Sequence, residues 1–401
     1  MLAAVLNRLE ATPQLDAMVE RVSGALLFAV AAEARRGSGG GGGALHATLW
    51  ITKALLCRSH PTGRALASKL CALATGVNYT LAFDVAAGFG LVVRDAERVL
   101  TKRSGATVRR LYKQRFFAAV LPALRASLDT STASLAALPG GSSESDEVAT
   151  SLVRATRAPL LAIAAMANGV PIAVALGKIE ELMLLLLRGL AYAAPRDASA
   201  ADIRAARALR GSALAALHRL YSGIESLGAE RAEGGVSGTH LLVRHSTTLT
   251  TLLLDASRAE GARGQPLAAA RIMALTCLSW LAALPVADVK PLKRGVQRGL
   301  TAALDDGKRA VRRHAVRCRN DWCVSVSRAR PLHTLRAHAH SHAPLPSMFL
   351  LSSSPPPPPP PPPRAQGSVV RKRSTAGHPE SLGLCRYWTR RRGFRDKCDT
   401  V

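Results

Sequence analysis

The stretch VKPLKRGVQRGLTAALDDGKRAVRRHAVRCRNDWC, residues 289–323, decides how the rest of the chain is read. Its first half places Val289, Leu292, Val296, Leu300 and Leu304 at steps of three and four, the period of one face of an α-helix. Asp305-Asp306-Gly307 interrupts that period. An acid suits the positive end of the helix that follows, and glycine eases the turn. The second half sets Val311, Ala315, Cys318 and Trp322 on another apolar face. The segment therefore reads as two short antiparallel helices around an acidic turn. Such a pair cannot bury its apolar faces alone, so neighbouring pairs must stack on it.

Within that stretch, Asp306, Val311 and Arg312 stand at the spacing of the Asp and Val-Arg signature of HEAT repeats. In that repeat the turn Asp and the second-helix Arg form a side-chain ladder between adjacent units. The expected fold class is all-α, an armadillo-like HEAT-repeat solenoid of helix pairs.

Outward from this pair, apolar periodicity predicts helices over 15–34, 45–58, 62–75, 81–100, 108–117, 123–138, 149–167, 172–191, 201–221, 241–258 and 267–284. His60-Pro61 and Pro122 are read as boundaries, because a pre-proline residue resists the helical region. Asp84 is read as lying near the start of its helix, and 139–147 as a loop. The organisation expected is an N-terminal helical segment (1–34), a glycine-rich linker (35–43), a solenoid (44–330) and a disordered Pro/Arg-rich tail (331–401). Nine consecutive prolines, Pro355 to Pro363, must adopt polyproline II and cannot join a helical array.

Composition bounds the function. The chain has 401 residues, 54 Lys and Arg against 27 Asp and Glu, and only 4% aromatics. A net charge of +27 points to acidic protein surfaces or nucleic acid as partners and says nothing about fold. The cysteines at 57, 71, 277, 318, 323, 385 and 398 have no paired spacing, which suggests a reducing compartment without a disulfide framework. The N-terminus does not read as a secretory signal. Residues 158–177 carry no charge, but Asn168-Gly169-Val170-Pro171 breaks them into runs too short to span a bilayer, so no membrane is expected.

Chemistry is sparse. No nucleophile elbow, zinc-protease helix or dinucleotide fingerprint occurs, so the chain does not read as an enzyme. His314, Cys318 and Cys323 lie close in sequence, but a metal site wants a fourth ligand and closer cysteine pairing. The tail histidines His333, His338, His340 and His342 form only a loose tract. No cofactor or metal is expected. The candidate partner-binding residues are the basic stripe Lys290, Arg294, Arg298, Lys308, Arg309, Arg313 and Arg317. Such a stripe reads first as a solvated face, and its functional reading is a basic surface that meets an acidic patch on a protein. Nucleic-acid binding would want interleaved aromatics, and the nearby Trp322 sits on the apolar stripe.

Four stretches carry a resemblance. They are Leu49-Trp50-Ile51-Thr52-Lys53-Ala54-Leu55 with His60-Pro61; Val108-Arg109 with Arg115-Phe116-Phe117 and Leu121-Pro122-Ala123-Leu124; Arg271-Ile272-Met273-Ala274-Leu275 with Leu284-Pro285; and Lys290-Pro291 through Asp306 and Val311-Arg312 to Trp322. In order and separation they resemble the carboxy-terminal part of the methyl-methanesulfonate-sensitivity HEAT adaptors of the cytosolic iron–sulfur assembly targeting complex. The resemblance implies a non-enzymatic scaffold of cytoplasm and nucleus. It would dock a β-propeller subunit and a small partner, and so support cluster delivery to apo-proteins of DNA replication and repair. The rival reading is a basic helical-repeat adaptor for nucleic acid or nuclear transport. Members of the family are much longer, the glycine run looks like an added loop, and the family pattern ends soon after Trp322.

Overall fold

The computed structural model describes residues 2–9, 12–35, 43–95, 100, 106–109, 111–138, 143–194, 198–228, 238–258 and 267–324. The glycine-rich 36–42, the segment 229–237 and the Pro/Arg-rich 331–401 with its histidines lie outside the described residues. The chain divides into two units, Met1–Ser341 and His342–Val401, and every described residue belongs to the first.

Among the described residues the structure is helical, without strands. The helices are α1 (Leu2–Arg8), α2 (Pro13–Arg35), α3 (Gly43–Arg58), α4 (Pro61–Ala74), α5 (Tyr79–Val93), α6 (Tyr112–Ala136), α7 (Ser143–Ala167) and α8 (Ile172–Leu176). There follow α9 (Ile179–Ala191), α10 (Ala200–Gly228), α11 (Gly238–Arg244), α12 (Ser246–Ser257), α13 (Ala268–Leu281), α14 (Val286–Gly299), α15 (Thr301–Leu304) and α16 (Arg309–Val324). One row runs α3–α5–α7–α10–α13–α16, each helix packed on the next. In a second row α4 packs on α6, α9 on α12, and α12 on α14. The chain passes from one row to the other at each step, so neighbours in sequence are neighbours in space. That is how stacked helix pairs bury faces none could bury alone. The N-terminal α1 and α2 pack on α3, where Leu6, Leu15 and Val19 share a core with Ile51, Leu55 and Leu66.

The final pair follows its pattern. Val289, Val296, Leu300, Val311, Ala315, Cys318 and Trp322 are buried, and Leu292 and Leu304 pack against them. Elsewhere several boundaries need correction. The helices expected at 108–117 and 123–138 are one helix, α6, with Pro122 inside it. Proline deprives the Ala118 carbonyl of its partner, but Ala118 and Pro122 are both exposed, so water can take that acceptor. Meanwhile Phe116, Phe117, Val120, Leu121, Leu124 and Leu128 are buried on both sides of the proline, and that burial favours a continuous helix. Helix α5 opens at Asn78, whose side chain accepts from the Leu81 N–H at 3.1 Å, and ends at Val93 rather than Leu100. The helix expected at 172–191 is broken by Gly177-Lys178, and that at 241–258 by His245. Helix α7 begins at Ser143, inside the expected loop.

Long side chains bridge the first row. The Lys53 ammonium of α3 donates to the carbonyls of Leu91 (2.8 Å) and Arg94 at the end of α5. Arg219 of α10 donates to Ala167 and Val170 at the end of α7. The Trp322 indole of α16 donates to Leu278 of α13 at 2.9 Å. Cations and N–H donors satisfy the carbonyls that a helix C-terminus leaves unpaired. Carboxylates hold the other ends. Asp202, at the start of α10, pairs with Arg157 of α7 at 2.7 Å, and Asp306, before α16, pairs with Arg271 of α13 at 2.8 Å.

One described helix, within Asp146–Ala167, is long and apolar enough to cross a bilayer, with half of that window buried in the protein. The break expected at 168–171 falls where α7 ends and α8 has yet to begin.

Candidate protein-docking surface

The last pair, α14–α15 with α16, carries ten Lys and Arg against four Asp between residues 286 and 324. All seven residues of the predicted stripe, Lys290, Arg294, Arg298, Lys308, Arg309, Arg313 and Arg317, are exposed. Among the described residues none of them lies within ion-pair distance of a carboxylate. Helical spacing places Lys290, Arg294 and Arg298 in one line on α14, and Arg309, Arg313 and Arg317 in one line on α16. Like charges four apart destabilise a helix by roughly 0.2–0.5 kcal/mol for each pair. A solvated face with no further role usually mixes signs. This face is predominantly basic, with Asp305 exposed at the turn and Asp288 and Asp321 half-buried.

The four acids of this region are outnumbered by its ten cations, and one of them is withdrawn from the surface. Asp306 is buried and committed inward: its carboxylate takes Arg271 Nε at 2.8 Å and Nη2 at 3.2 Å, and accepts from the Lys308 N–H at 2.7 Å. Arg312 Nη1 donates at 2.7 Å to the main-chain oxygen of Asp306, not to its carboxylate. The bridge between successive pairs is therefore Arg271–Asp306, while Arg312 closes a contact within the turn. Val311 lies in the core beneath them. Arg271 was missed as a partner in the sequence. Its signal is that it is the sole charge in 267–284.

The residues closest to a metal set are divided between core and surface. Cys318 is fully buried and burial pushes its thiol up to about 12, so a thiolate is disfavoured there. Cys323 is exposed, with Gln297 donating to its sulfur, and His314 contacts the Ala310 carbonyl through Nδ1. Among the described residues no group of three His, Cys, Asp or Glu is placed to hold a metal.

A groove of about 870 Å³ lies between α6 and α8–α9. Phe117, Leu121, Pro122 and Ala173 line it, and Arg125 on its rim pairs with Glu181 at 3.2 Å and Asp129 at 3.7 Å. Its titratable lining residues are Arg125, Asp129, Lys178 and Glu181.

Known proteins resemble this chain over most of its length. A family model described as RNAPII transcription regulator C-terminal matches residues 1–282, which takes in α1 to α13 and ends before the last pair, α14–α15 with α16. A mouse relative named MMS19 nucleotide excision repair protein homolog is 28% identical over 320 residues, covering 80% of this chain and 25% of its own. The human protein of that name is 29% identical over 321 residues, with the same coverage, and that of Arabidopsis thaliana 26% over 288, covering 69% of this chain and 21% of its own. The chain thus spans about a quarter of the length of the curated relatives it matches. It belongs to the RNAPII transcription regulator C-terminal family, the family of the MMS19 repair-protein homologues.

Proposed function

We propose that the chain is a non-enzymatic docking scaffold of cytosolic iron–sulfur protein assembly. On this reading it holds the β-propeller and small subunits of the targeting complex and so supports cluster delivery to apo-proteins of DNA replication and repair. Repair is what its relatives' names record. The observation that carries the docking role is the exposed, predominantly basic surface of the last helix pair, at Lys290, Arg294, Arg298, Lys308, Arg309, Arg313 and Arg317. Charge of one sign steers and orients association with an oppositely charged protein surface more than it adds affinity. The iron–sulfur setting rests on the four resembling stretches. Its cluster is cargo carried by clients, so the scaffold needs no metal ligands of its own. It works in cytoplasm and nucleus on this account, without a membrane.

The test is co-purification of the full chain with the β-propeller and small targeting subunits at moderate and high salt. A stoichiometric complex that survives moderate salt supports the scaffold. Strong, salt-sensitive retention of nucleic acid with no subunit bound would favour the rival adaptor for nucleic acid or nuclear transport.

A further inference from the structure

The centre of the exposed face of α16 is not a charge. Val316 is 49% exposed, and its neighbours three and four residues away are Arg312, Arg313, Arg319 and Asn320, all exposed. Residues at those spacings surround one another on a helix surface. Arg309 and Arg317 extend the ring along one side. The opposite face of the helix, Val311, Ala315, Cys318 and Trp322, is buried, so this apolar spot within a guanidinium ring points away from the array.

Resting on the docking role above, we propose that this face of α16 binds an acidic protein segment carrying one aliphatic side chain, which packs on Val316 while flanking carboxylates take the arginines. Charge complementarity selects the occupant. The chain's own segment 331–401 has eleven Lys and Arg against three acids, so its composition is not that of the acidic occupant proposed. Arg312 already donates to the Asp306 carbonyl, and the four other guanidinium groups, of Arg309, Arg313, Arg317 and Arg319, fit planar carboxylates in two-point hydrogen bonds. Among the described residues the face presents no aromatic, because Trp322 is buried, and base stacking therefore has no platform. An apolar contact ringed by polar groups is the usual anatomy of a small recognition site.

The probe is a labelled synthetic peptide with glutamates on both sides of a central leucine, titrated into the full chain by fluorescence anisotropy. A matched peptide with serine for leucine and a single-stranded oligonucleotide of equal charge serve as comparators. The expected result is tighter binding of the leucine peptide than of either, by at least fivefold. Arg313→Glu with Arg319→Glu should cost tenfold or more, and Val316→Asp should erase the preference for leucine, with helicity unchanged by circular dichroism. Equal binding of leucine and serine peptides, or tighter binding of the oligonucleotide, overturns the proposal. Those outcomes leave the scaffold reading standing if the targeting subunits still co-purify, so the two can fail separately.

Discussion

Replacing Asp306 by alanine removes the carboxylate that faces Arg271 across two helix pairs. Both side chains are nearly inaccessible, at 1% and 5% exposure, and 2.8 Å apart. Breaking a buried pair from one side costs about 3–5 kcal/mol, because the remaining charge stays in a low-dielectric site. The Lys308 N–H also loses its acceptor, worth about 1 kcal/mol as a helix-entry contact. The whole deficit falls on α13, α15 and α16, and stacked arrays can unfold from an end. In a background where Trp50, Trp280 and Trp388 are replaced by phenylalanine, Trp322, fully buried on α16 against α13, reports locally by its fluorescence during urea unfolding. Asp306→Ala should therefore shift the Trp322 transition to lower urea by an amount equivalent to about 3 kcal/mol or more. Arg271→Met with Asp306→Leu, which removes both charges and fills the space, should recover most of that loss. A single variant within about 0.5 kcal/mol of the parent, the range of an ordinary surface change, would refute the reasoning. So would a double variant no better than the single one.

Three further outcomes follow from particular residues. Burial lowers the Lys53 ammonium to about 8, so between there and its ordinary 10.5 the unfolded chain binds the extra proton, and Lys53's contribution to stability rises with pH. Cys57, raised to about 11 by burial, acts in the opposite sense, so the readout is the difference between the parent and Lys53→Met in urea-derived stability at pH 7 and pH 10. A rising increment of about 1–3 kcal/mol, absent from the variant, is expected. Tyr221 has a buried hydroxyl with no hydrogen-bond partner among the described residues, so Tyr221→Phe should be neutral or up to about 1 kcal/mol more stable; a loss beyond that would reveal an unrecognised partner. Ser59 holds φ at 64° between α3 and α4, a conformation glycine adopts freely, so Ser59→Gly should raise thermal stability by about 0.5–1 kcal/mol, and a decrease would count against strain there.

The helices were legible where one face repeats at the helical period, as along Val289, Val296 and Leu300. They were misjudged where a distant group settles a local conflict. Nothing near Val93 marks the end of α5, because its last carbonyls are taken by Lys53, on another helix. Pro122 looks like a boundary by every local rule, and the helix continues because both flanking turns bury aromatic and aliphatic side chains. The candidate surface was legible as charge, since four-residue spacing alone lines up the arginines. What the sequence withheld is which charges turn inward. Asp306 could be placed at a turn, but its partner Arg271 lies 35 residues away. The useful mark in both cases is an isolated cation within an apolar run, Lys53 in α3 and Arg271 in α13. Such a residue is seldom buried without a partner.

The docking role is tested most directly by isothermal titration of the full chain into a purified assembly of the β-propeller and small targeting subunits. The account predicts saturable one-to-one binding at moderate salt, weakened at least tenfold by Arg309→Glu with Arg313→Glu in a protein of unchanged helicity. No heat and no complex from a folded chain would contradict it, as would binding indifferent to that charge reversal.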